Sequence, residues 1–110
     1  MTIDRSSSNN KPRREPRFLV DTRVTINHDG QTVSGQAVEL SQGGIAILTV
    51  ADLTVGEVVE LQFKLRHNAL RLRAIVRNRK GARYGMEFLT LSAEQREHIV
   101  NWCRGVTHHG

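Results

Sequence analysis

At 110 residues, with 38% apolar and 25% charged side chains, the chain has the size and composition of one globular domain with a modest core. Sixteen Lys and Arg against eleven Asp and Glu leave a formal charge of +5, which favours an anionic partner such as a nucleotide, a nucleic acid or a membrane surface. One cysteine, Cys103, excludes an intrachain disulfide and a multi-cysteine zinc site, and no stretch reaches the length of a membrane span. The first residues carry no apolar secretion signal, so a cytoplasmic protein without membrane insertion is expected.

In chain order, residues 1–12 (MTIDRSSSNNKP) are almost free of apolar side chains and are expected to form a flexible polar tail. From Leu19 the pattern becomes period two, with Val20, Thr22, Val24 and Ile26 on one face. Asn27–Gln31 reads as a hairpin turn, because Asp29-Gly30 adopts positive φ cheaply. The run TVSGQAVEL then ends at a second glycine turn, SQGG, with Val38 and Leu40 read as core and Glu39 and Ser41 on the opposite, outward face. IAILTV reads as a short buried strand.

Alternation is clearest further on. Val59, Leu61, Phe63 and Leu65 share one face, Leu70, Leu72, Ala74 and Val76 the next, and Tyr84, Met86 and Phe88 the last. Six short strands separated by turn signals, each with one apolar face, predict an all-β fold, an antiparallel barrel or sandwich. A helix over about 92–104 closes the chain. Ser92 and Gln95 have capping-box spacing, Ile99, Trp102, Cys103 and Val106 recur at helical intervals, and Gly105 is the expected stop. Trp102 at that spacing reads as core packing rather than partner docking.

The densest cationic cluster, KPRREPRF (Lys11–Phe18), stands between tail and first strand. Arg13 and Arg17 are four apart with Pro16 between them, and proline disfavours helix at the preceding residue. In an extended segment two guanidinium forks can splay around a small ligand, and such forks suit phosphates and the O6/N7 edge of guanine. Glu39 and Ser41 supply an acceptor and a hydroxyl on one outward face, and Gly44 allows a close backbone approach. The plain alternative is that Ser41 caps its turn while Gly43 and Gly44 close the hairpin.

Taken together, RREPR before the first strand and ELSQGGIAI at the second turn resemble the PilZ domain family, whose motifs are R-x-x-x-R and [D/N]-x-S-x-x-G. Arg13 and Arg17 match the first, and Ser41 and Gly44 the second; Glu39 stands where the family has aspartate or asparagine. AIVRNR and YGMEF resemble the family's closing strands. The resemblance spans residue 13 to the helix. It implies a six-stranded antiparallel PilZ-type β-barrel with a C-terminal helix over 13–107 and a tail at 108–110. It also implies binding of cyclic di-GMP, a bacterial second messenger with two phosphates and two guanines, through Arg13, Arg14, Arg17, Glu39, Ser41 and Gly44. A segment Pro12–Arg17 that orders on binding, and a downstream protein that reads the change, complete the expected sensor. A PilZ-like adaptor barrel acting through protein contacts without nucleotide is the other reading.

Other chemistries find less support. Arg71, Arg73, Arg77 and Arg79 form an outward basic stripe, read as a solvated strand face. Single-stranded nucleic acid needs exposed aromatic platforms, and of Phe18, Phe63, Tyr84, Phe88 and Trp102 only Phe18 falls outside an apolar face, which argues against nucleic acid. No histidine among His28, His67, His98, His108 and His109 is read as paired at ligand spacing with another histidine or an acid inside one element. With no metal cluster and no nucleophile–base constellation, neither an enzyme nor a cofactor is expected.

Overall fold

A computed structural model describes residues 16–108, with side chains to residue 105. Six strands, β1 (Phe18–His28), β2 (Gln31–Leu40), β3 (Gly44–Leu48), β4 (Val58–Leu65), β5 (Asn68–Lys80) and β6 (Arg83–Phe88), precede one helix, α1 (Ala93–His108). All pairings are antiparallel, and the sheet closes in the order β1-β2-β3-β6-β5-β4. Closure removes the exposed strand edges that an open sheet of this size would carry. It also places β3 beside β6, strands far apart in sequence.

Period-two alternation fills the interior. Val59, Leu61, Phe63 and Leu65 of β4, Leu70, Leu72, Ala74 and Val76 of β5, and Tyr84, Met86 and Phe88 of β6 are all buried. Each fully buried aliphatic side chain contributes about 1.5–3 kcal/mol, so this inner face rather than the turns holds the barrel together. Asp29 (φ 50°) and Gly30 (φ 77°) make the β1–β2 turn with the two positive φ values expected of that dipeptide. The Tyr84 hydroxyl, inside the core, donates to the Ala51 carbonyl (2.9 Å) and accepts from Leu53 N–H (3.1 Å), pinning the β3–β4 connection.

Several expectations change. IAILTV is not a buried strand throughout: the strand ends at Leu48, and Leu48 and Val50 are exposed. Val38 is only half-buried, because β2 bulges there: Ala37 pairs with Ile47 and Glu39 with Ala46, leaving Val38 as the extra residue. The bulge shifts the phase, so Ala37 and Leu40, three apart, both face the core. Phe18 does not stand free; it packs, half-buried, against the core. The helix runs past Gly105 to His108, and the bare Gly105 Cα instead gives room to the Arg66 guanidinium, which a Cβ there would strike.

The helix start is as expected, with Gln95 N–H on Ser92 Oγ (3.1 Å) and Ser92 N–H on Gln95 Oε1 (3.0 Å). Gln95 also donates through Nε2 to the Arg71 carbonyl at 2.6 Å, which ties the helix to β5. Ile99 and Cys103 are buried and Trp102 half-buried; the Val106 side chain lies outside the described residues. Glu94 and His98 are an acid and a histidine four apart on this helix, 3.8 Å from each other, contrary to the histidine reading above. Among the described residues no third ligating group joins them.

Candidate functional site

The outer faces of β2, β3, β6 and β5 carry one continuous row. Glu39 pairs with Ala46, Ala46 with Gly85, and Gly85 with Asn78. Their neighbours along each strand, Leu40, Ile45, Ile47, Tyr84 and Met86, are buried, so this row points outward. Its two central members have almost no side chain. The row is therefore low in the middle and raised at both ends, and a cavity of about 460 Å³ lies over it.

The walls are polar and charged. Arg17, Glu39, Ser41 and Gly44 line it together with Arg77, Asn78, Arg83 and Glu87. Arg17 NH1 is 3.8 Å and Arg83 NH2 3.1 Å from Glu39 Oε1. Arg77 Nε donates to Glu87 Oε1 at 2.6 Å. The side chains of Arg17 (59% exposed), Arg83 (42%) and Glu39 (28%) remain in contact with water, so these pairs are partly screened.

The turn at one end is built by the residues expected there. Gly44 N–H donates to Ser41 Oγ at 3.1 Å, and Ser41 N–H to the Gly44 carbonyl at 2.9 Å. Gly44 itself lies against β6, where a Cβ would collide with the Met86 carbonyl oxygen. Both residues thus have a structural duty, the plain alternative above, and both also border the cavity. At the opposite wall, a Cβ on Gly85 would strike the Asn78 amide, which lies across it.

Of the expected ligand residues, Arg17, Glu39, Ser41 and Gly44 come together at this cavity; Arg13 and Arg14 lie outside the described residues. Arg83, Asn78, Gly85, Ala46 and Glu87 were not foreseen. Period-two reading does put Arg83 outward, one before buried Tyr84, but nothing local says that β6 lies next to β3. The basic stripe is largely matched with acids: Arg71 lies 3.9 Å from Glu60, Arg77 pairs with Glu87 and Arg79 with Asp52. The Asp52 hydrogen bond holds the Arg79 guanidinium above its ordinary value.

Comparisons with known proteins converge on one family. The family model described as "PilZ domain" matches residues 11–105. No curated protein matches the chain by sequence. Among solved structures, the barrel is similar to the PilZ domain of CeSA from a cellulose-synthesizing bacterium, with TM-score 0.67 and 21% identity over 84% of this chain and 99% of that one. It is similar to the Bacillus subtilis inhibitor of motility MotI/DgrA, with TM-score 0.79 and 18% identity over 91% of this chain and 53% of that one. The chain therefore spans about half the length of MotI/DgrA. The PilZ domain of YcgR from Escherichia coli, solved with c-di-GMP, matches with TM-score 0.69 and 16% identity over 90% and 97% of the two chains.

Proposed function

Given that this chain belongs to the PilZ domain family, matched over residues 11–105, we propose that it is a cyclic di-GMP sensor of bacterial second-messenger signalling, without catalysis of its own. The observation that carries the reading is the convergence of Arg17 with Glu39, Ser41 and Gly44 on one cavity. Clusters on opposite sides of the barrel would have left no site for a small dianion.

The chemistry of the cavity suits that ligand. Ala46 and Gly85 offer a low floor on which a flat purine can lie. Arg17, joined by Arg13 and Arg14 from the preceding segment, takes phosphates and guanine edges. Glu39 accepts from guanine N–H groups, and Ser41 and Gly44 close the rim. A handful of charge-assisted bonds at about 1.5–3 kcal/mol each, set against about 2–5 kcal/mol for ordering the arginine segment, leaves roughly −8 kcal/mol, about micromolar affinity. The ordered segment alters the surface beside the barrel, and a downstream protein in the cytoplasm reads it.

One observation favours the second reading, an adaptor barrel that does not take nucleotide: Glu39 already contacts two of the protein's own arginines. Calorimetric titration of the full chain with cyclic di-GMP separates the two. The sensor gives saturable heat with one or two dinucleotides per chain; a flat titration overturns it in favour of the adaptor.

A further inference from the structure

Glu39 and Arg83 come from strands that are not neighbours. Glu39 is on β2, opposite Ala46 of β3, while Arg83 is on β6, opposite Leu48 of β3. The arginine reaches the acid diagonally across β3, and it crosses beside Ala46, whose methyl group leaves the path open. A guanidinium 3.1 Å from the carboxylate results. Arg17 approaches the same oxygen, Oε1, at 3.8 Å. Among the described residues both ion pairs given for Glu39 run to Oε1, and a carboxylate's second oxygen has acceptor capacity of its own.

The length of the acid gives this arrangement its purpose. The motif that this chain resembles has aspartate or asparagine here, and glutamate adds one methylene and one more rotatable bond. A longer carboxylate without a tether samples more rotamers, and each donor it must meet then costs more ordering entropy. Holding Oε1 from β6 removes that freedom while the second oxygen stays available.

We propose that Arg83 is a positioning residue of the ligand site: it anchors Glu39 through Oε1 so that Oε2 meets the N–H donors of a guanine. The proposal rests on the cyclic di-GMP reading for its ligand, but the anchor itself is a contact between two side chains of this chain. It makes Arg83, absent from both short motifs, a determinant of affinity through Glu39 and not through contact with phosphate.

The test is a calorimetric double-mutant cycle with cyclic di-GMP on the full chain: wild type, Arg83→Gln, Glu39→Gln and the double variant, with Arg83→Lys alongside and thermal melts to verify folding. Arg83→Gln is expected to weaken binding about fivefold where Glu39 is present and to change it by less than about twofold in the Glu39→Gln background. Arg83→Lys, which keeps the charge, should recover part of the loss. An equal loss in both backgrounds would mean that Arg83 binds the ligand directly, and no loss in either would mean that it does nothing there; both overturn the proposal. Should the wild type not bind at all, the ligand reading fails, and the anchor is judged on the ligand-free protein. There the Glu39 side-chain carboxyl ¹³C resonance is expected to move in Arg83→Gln, and an unmoved resonance overturns the anchor.

Discussion

Gly44 and Met86 approach so closely that the α-carbon of one leaves no room for a side chain beside the carbonyl oxygen of the other. This contact seals β3 against β6 at the end of the cavity, where Gly44 pairs with Glu87. Gly44→Ala is expected to destabilise the domain by about 1–3 kcal/mol, the usual cost of overpacking. Urea denaturation checks the magnitude, and an unchanged midpoint would show that β6 yields without cost.

In the proposed sensor the arginine segment supplies guanidinium groups to the ligand's phosphates. Arg17→Ala and Arg13→Ala are each expected to weaken cyclic di-GMP binding at least tenfold, about 1.4 kcal/mol. Since Arg17 is largely exposed, its removal should leave the thermal midpoint nearly unchanged. Wild-type affinity in both variants, measured by calorimetry, would take the arginines out of the site.

Ser41 has a different balance. Its hydroxyl accepts from Gly44 N–H, so Ser41→Ala should cost about 1 kcal/mol of stability. The loss in ligand affinity should be smaller than for either arginine. Parallel melts and titrations separate the two effects, and an affinity loss exceeding that of Arg17→Ala would move Ser41 from the rim of the site to its centre.

Amide exchange across residues 13–18, with and without cyclic di-GMP, reports on the proposed switch. Slower exchange in the bound state is expected, fading towards Phe18, which is packed on the core. Identical exchange in the two states would remove the ordering step while leaving binding untouched.

Glu39→Asp probes the departure from the family motif. The shorter acid draws its carboxylate back from Arg83, which stands 3.1 Å from Glu39 Oε1 in the wild type. Weaker binding is expected if Arg83 holds the longer acid in place. Tighter binding, read in the same titration, would show the extra methylene to be a compromise.

Much of this molecule was legible from residue order, because its causes are local. Alternation names the inward residues of β4, β5 and β6, since a pleated strand turns successive side chains to opposite faces whatever lies beside it. Asp29-Gly30 sets the first turn, and Ser92 with Gln95 starts the helix. Arg17, Glu39, Ser41 and Gly44 could be picked out because each belongs to a short run of recognisable spacing. Val38 could not be placed correctly, because a bulge is a mismatch between two strands and neither strand alone contains it. Gly105 has the composition of a helix stop, yet the helix runs on to His108 and the Arg66 guanidinium lies against its bare α-carbon.

Barrel closure decided the rest. It set β3 beside β6 and so laid Ala46 and Gly85 side by side as a floor and brought Arg83 to Glu39. Chain order determines which face each residue turns outward; only the pairing of strands distant in sequence determines which outward residues share a cavity.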